Sequence, residues 1–211
     1  MRYNLFIELL KKQLKSELPG EIAQQQMSPP LRMQGVKLPI DESKAIKSAV
    51  LLLLFPINEI PHFVLIKRIV DNGPHSGQIS FPGGKYESQD RNISHTAIRE
   101  TYEEIGIQEA DIEIIGSLSS LFVPVSNFII YPLVGTINYK PTFKISKSEV
   151  NSLIITNLND FFHNKSTTYG KFVSNNTIVE APFYYVKDNR IWGATAMILS
   201  EFFEIYSNIK F

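Results

Sequence analysis

The spacing of apolar positions changes period several times along the chain. From residue 4 to 18, Phe6, Ile7, Leu10 and Leu14 recur at helical spacing, with Asn4 as a candidate N-cap and Pro19-Gly20 as a stop, which predicts an amphipathic helix. Residues 21–42 lose that period and turn to Gln, Pro and Gly, so they read as an irregular lead-in wrapping whatever follows. Two nearly continuous apolar runs, 46–55 and 63–69, bracket a turn from Pro56 to Pro61 and predict buried strands of one sheet. A helical stretch then closes at Gly106, with Ala97, Ile98, Thr101 and Ile105 on its packing side. Residues 112–123 and 128–137 predict two further strands, residues 158–162 a short helical or turn segment, and Pro182 to Tyr185 with Ile191 to Gly193 an aromatic hairpin. A last helix, 194–206, sets Ala194, Met197, Ile198, Phe202 and Ile205 toward the sheet. Strands on both sides of one helix plus a packing helix at the end imply an α/β fold: a mixed sheet covered on both faces.

Composition narrows this picture. With 211 residues and 44% apolar side chains the chain can bury one good core, so the expected organisation is a lead-in over 1–42 packed on one domain over 43–211. The formal charge is zero, which gives no reason to expect nucleic acid or an anionic membrane as partner. The absence of cysteine excludes disulfide and thiolate chemistry and fits a reducing cytoplasm. Glu8, Lys11 and Lys12 interrupt any signal-peptide pattern, and the run 49–55 is too short to span a bilayer, so a cytoplasmic location is expected. The N-terminal helix is expected to pack on its own domain, with a homodimer contact as the alternative; its mixed rather than basic polar face disfavours membrane binding.

Candidate chemistry gathers between Gly83 and Ile107. At ~100° per residue, Glu100, Glu103 and Glu104 fall within one arc of a helix wall, beside the packing side. Three carboxylates so placed repel one another, and a hard divalent cation, Mg²⁺ or Mn²⁺, relieves that cost. A solvated acidic face is the other meaning of such a run. The context favours the first: Phe81-Pro82-Gly83-Gly84 breaks a strand end into a turn that lets backbone approach a ligand, and Arg99 can hold a neighbouring carboxylate in place. Lys67 and Arg68 end the second apolar run near those glycines, and His75 and the loop Pro124-Val125-Ser126-Asn127 are further candidates for contact with a substrate.

These residues resemble a known family. Gly84, Asp90, Arg99-Glu100, Glu103-Glu104, Gly106 and Ile107 are similar to the Nudix box, G-x5-E-x7-R-E-U-x-E-E-x-G-U with U apolar. Asp90 stands at the first acid, Thr101 at an apolar position, and eight residues, 91 to 98, precede Arg99, so no metal role is assigned to Asp90. The segments around Gly77 to Lys85, Phe122 to Ser126, Glu149-Val150 and Ile191-Trp192-Gly193-Ala194-Thr195-Ala196 resemble the coenzyme A pyrophosphatase branch, although Ile66, Ile69 and Gly73 depart from its upstream signature. The resemblance implies a Nudix-type α/β/α sandwich with an N-terminal helical extension. It also implies metal-dependent hydrolysis of a diphosphate linkage in a small-molecule nucleotide, coenzyme A giving 3′,5′-ADP and 4′-phosphopantetheine. Glu100, Glu103, Glu104 and the Gly84 carbonyl would be metal ligands. Glu103, Glu149 as base and Arg99 as orienter would form the catalytic set, and Arg68, His75, Lys85 and Ser126 would contact substrate. ADP-ribose, a dinucleoside polyphosphate or a nucleotide sugar is the alternative substrate, and a non-catalytic ligand-binding regulator the alternative of another class.

Overall fold

The computed structural model describes residues 2–30, 44–70, 77–164, 167–174 and 177–209. Its centre is a mixed sheet. Strand β1 (Ile46–Ile57) lies between its hairpin partner β2 (Ile60–Arg68) and β7 (Phe128–Thr136), antiparallel to the first and parallel to the second. The short β3 (Ile79–Ser80) pairs with the far end of β2 on the side that β1 occupies nearer the hairpin, while β5 (Glu113–Ser117) closes the sheet next to β7. β4 (Gly83–Lys85) pairs with β1, β6 (Leu121–Val123) with β7, and β8 (Val150–Asn157) with β2.

Alternation along β1 explains why its sequence is apolar throughout. Ala49, Leu51, Leu53 and Phe55 face a core closed by helix α3 (Ile93–Ile105). Leu52 and Leu54 face the opposite core, filled by α1 (Tyr3–Gln13), α4 (Leu158–Asn164) and α5 (Gly193–Ser207). A strand buried on both faces has no polar side to show. The expected α/β/α sandwich with an N-terminal helix is therefore what forms.

Helix α1 spends its apolar stripe on its own domain: Phe6, Ile7, Leu10 and Leu14 are buried, and Phe6 meets Tyr206 edge-on at 5.8 Å. Burying each such side chain contributes about 1.5–3 kcal/mol, so this stripe is not left over for a second copy. The helix starts at Tyr3 rather than being capped by Asn4 and stops at Gln13.

Several boundaries differ from expectation. Pro19-Gly20 does not end structure but opens a second helix, α2 (Gly20–Gln25), where irregular chain was expected. The reason is distant in sequence: Glu201 of α5, fully buried, accepts hydrogen bonds from Gln24 Nε2 at 2.8 Å, Gly20 N at 3.2 Å and Ser119 N at 3.1 Å. Gln24 Nε2 also donates to the Ser119 carbonyl at 3.0 Å. That ring pins residues 118–120 and divides the single strand expected over 112–123 into β5 and β6. Pro56 and Pro61 turn out to be cross-strand partners, and the turn tightens to Asn58-Glu59, both at positive φ. Glu201→Ala would remove the acceptor of three donors, two of them, Gly20 N and Ser119 N, part-buried backbone N–H groups. It is expected to cost about 2 kcal/mol, lowering the melting temperature by roughly 4–8 °C for a chain of this size, as thermal unfolding would show.

A second, three-stranded sheet follows: β9 (Thr167–Ser174), β10 (Thr177–Val186) and β11 (Asn189–Trp192). Phe172 stacks on Trp192 at 4.5 Å, and the Arg190 guanidinium lies over Phe172. β11 then runs directly into α5. Among the described residues no helix is long and apolar enough to cross a membrane.

Candidate functional site

The glycine turn and α3 meet through contacts that only glycine permits. Gly83 sits at φ 152°, and a Cβ there would fall 2.6 Å from Val50 Cα and overlap the Ala49 carbonyl. The bare backbone lets β4 lie against β1 and points the Gly83 N–H at Glu104 Oε2, 2.9 Å away. At Gly84 a Cβ would overlap the Glu100 carboxylate. The two box acids one helical turn apart therefore each rest on one of two successive glycines.

Helix α3 is held at both ends. Asn92 caps it, its side chain accepting from His95 N at 2.9 Å, and Gly106 ends it in the left-handed region at φ 76°. Thr101, where the box pattern has an apolar residue, is buried without cost because its hydroxyl donates to the Ala97 carbonyl at 2.7 Å.

The three glutamates differ in surroundings. Glu104 is fully buried, accepting from Gly83 N and, at 3.2 Å, from Arg68 Nη1. Burial pushes its carboxyl up to about 8; the Gly83 N–H and Arg68 pull it down, while the fields of Glu100 and Glu149 add to the rise. Glu100 is also raised, chiefly by burial, with Arg99 opposing and Glu103 and Glu149 reinforcing. Glu103 has 47% of its side chain exposed. Glu149 reaches this group because the chain before it is stitched to the end of α3: Lys144 N donates to the Ile105 carbonyl, Ser146 N to that of Glu104, and Glu149 N to that of Ser146.

Arg99 organises the wall. Its Nε and Nη2 grip both oxygens of Asp90 at 2.9 and 3.1 Å, and its Nη1 holds Glu100 and Glu103, each at 3.0 Å. Nη2 also reaches the Lys85 carbonyl at 3.2 Å. Asp90 is buried and further accepts from Thr96 Oγ1, Glu87 N and His95 Nδ1. Arg99, with these hydrogen bonds, holds its carboxyl far below the usual range. This acid anchors the arginine inside the fold.

The donor set fits a hard cation. Four carboxylates share one field, and two of them are pushed toward protonation because burial leaves their charge undercompensated. All the candidate side chains are oxygen donors, the type that Mg²⁺ or Mn²⁺ takes. Glu100 and Glu103 are bonded to Arg99 and Glu104 to Arg68, and among the described residues no three His, Cys, Asp or Glu side chains are grouped as a cation would need.

The structure thus brings Glu100, Glu103, Glu104, Glu149, Gly84, Arg99 and Arg68 together. Lys85 is exposed, and the pleat turns its side chain away from the face on which Gly84 meets Glu100. Ser126 lies in the β6–β7 turn with its hydroxyl buried and without a hydrogen-bond partner among the described residues. His75 lies outside the described residues. Two contributors were not singled out from sequence: the Gly83 N–H that holds Glu104, and Asp90 as the root of the arginine clamp. The second had a signal, an acid placed just before a helix that carries an arginine.

A family model, NUDIX domain, matches residues 46–161. The uncharacterized Nudix hydrolase NudL of Pectobacterium atrosepticum is 31% identical over 153 residues, spanning 71% of this chain and 78% of the relative. The mitochondrial coenzyme A diphosphatase NUDT8 of Homo sapiens is 28% identical over 154 residues, 72% of this chain and 65% of that protein. Among solved structures, a MutT/nudix family protein from Enterococcus faecalis superposes with a TM-score of 0.51 at 16% identity, over 88% of this chain and 72% of its own.

Proposed function

The chain belongs to the Nudix hydrolase family and is a diphosphohydrolase, and on that footing we propose that it cleaves the diphosphate of coenzyme A or an acyl derivative. The observation that carries the substrate is the likeness, over nearly three-quarters of the chain, to a relative named as a coenzyme A diphosphatase. Water attacks one phosphorus, the bond from that phosphorus to the bridging oxygen breaks, and the products are 3′,5′-ADP and 4′-phosphopantetheine.

Such chemistry asks the protein for position and charge rather than covalent help. We assign Glu100 and Glu104, with Glu103 in support and the Gly84 carbonyl beside them, as the residues that would hold Mg²⁺ or Mn²⁺. Bound there, the cation would acidify a water and neutralise charge on the phosphate oxygens. Glu149, whose field acts on both main carboxylates, takes the proton from the attacking water at a carboxylate oxygen. Arg99 keeps Glu100 and Glu103 on one wall. Arg68, already at Glu104, supplies a guanidinium for a phosphate oxygen.

The test is a panel of coenzyme A, acetyl-coenzyme A, ADP-ribose, a dinucleoside polyphosphate and a nucleotide sugar, each with Mg²⁺ or Mn²⁺ and products identified by mass. Coenzyme A should turn over fastest and release 3′,5′-ADP. A clear preference for ADP-ribose or a dinucleoside polyphosphate would overturn the substrate. Glu149→Gln is expected to lower kcat by about 10²–10⁴, the usual weight of a general base, at unchanged metal affinity; full kcat would remove it from that role.

A further inference from the structure

We propose that Thr195, in the Trp192-Gly193-Ala194-Thr195 segment, is a positioning residue that fixes the glycine turn through its hydrogen bond to Ile79. The inference rests on the reading of Glu104 as a site carboxylate.

β3 is two residues long and pairs with β2 on the side that β1 takes farther along, β8 lying on the other side. The Gln78 carbonyl points inward and accepts from Arg68 N at 3.0 Å. Successive carbonyls of a strand point to opposite sides, so that of Ile79 points away from β2, where no strand pairs with β3 among the described residues. There it accepts from Thr195 Oγ1 at 2.9 Å. Thr195 is itself buried in the first turn of α5. Only three residues separate Ile79 from Gly83, whose N–H holds Glu104. The path from hydroxyl to catalytic wall is therefore short and runs through Phe81-Pro82, of which Phe81 is buried and the Pro82 carbonyl accepts from Leu51 N at 2.8 Å.

The hydroxyl arrives there by a specific route. Trp192 is stacked on Phe172, which anchors the end of β11. Gly193 then turns the chain at φ 63°, a conformation other residues resist, and α5 begins with Thr195 in its first turn. The segment is thus a bracket from the second sheet onto the short strand β3 of the first.

The test compares Thr195→Val, which keeps the shape and removes the hydroxyl, with Thr195→Ser, which keeps the hydroxyl. In Thr195→Val, amide exchange of residues 79–84 should accelerate about tenfold, the weight of one hydrogen bond, and kcat should fall by a similar factor with little change in KM. Thr195→Ser should restore both. Unchanged exchange at 79–84 in Thr195→Val would overturn the proposal, and so would a Thr195→Ser variant as impaired as Thr195→Val, which would assign the effect to the lost methyl. The exchange readout needs no substrate, so it stands even if wild-type protein leaves coenzyme A intact, an outcome that would count against the proposed reaction alone.

Discussion

Glu104→Gln is expected to fold normally and to lose turnover by roughly a thousandfold, the scale seen when one essential electrostatic group is removed. The variant is nearly isosteric, and its amide oxygen can still accept from the Gly83 N–H. Folding should not suffer, because burial disfavours the charge that the substitution removes. What is lost is one of the two best-placed anionic oxygens on the wall. The same substitution should abolish stabilisation by the ion: wild-type protein should gain about 2.7 kcal/mol at a Mg²⁺ concentration a hundred times its Kd, lost again with EDTA, and Glu104→Gln little or none. Thermal shift with and without Mg²⁺, read beside kcat, tests both halves. Wild-type turnover in a well-folded Glu104→Gln would remove Glu104 from the site. Glu103→Gln should cost much less, since that side chain is half exposed and sits at the edge of the group.

That ranking of the glutamates shows where sequence reading succeeds and where it stops. Helical periodicity places Glu100, Glu103 and Glu104 on one wall, because position along a helix determines direction. It does not say which of them is buried. Glu104 is enclosed because Gly83 and Arg68, 21 and 36 residues away, close over it. The apolar runs of β1 and β2 were legible for the same local reason. β8 and β9 were not: in β8 polar residues interrupt the apolar set, and β9 carries Thr, Gly and Lys, so its membership depends on pairing with β10 rather than on its own pattern. Helix α2 is a further case, six residues whose position is set by a carboxylate on the last helix. Long-range hydrogen bonds leave no period behind.

The same distinction decides what Asp90 should do. At the first acid position of the box, it is the buried counter-charge of Arg99. Arg99 is 8% exposed and Asp90 4%, and the guanidinium meets both carboxylate oxygens. Removing one member of such a pair leaves the other buried and uncompensated, which typically costs about 3–5 kcal/mol. Asp90→Ala should therefore unfold at much lower urea concentration. Its residual folded fraction should also turn over slowly, because a released Arg99 no longer holds Glu100 and Glu103 in register. Asp90→Asn retains the shape and part of the hydrogen bonding and should fall between the two. Acid supplies an independent check. Asp90's folded value lies below its unfolded one, so its contribution to stability is complete above about pH 4 and is lost as pH falls through the folded value. The stability gap between wild type and Asp90→Asn should accordingly narrow as the pH is taken below 4. A gap that stayed constant with pH would mean that the Asp90 charge contributes nothing, and that Arg99 is oriented by its other partners.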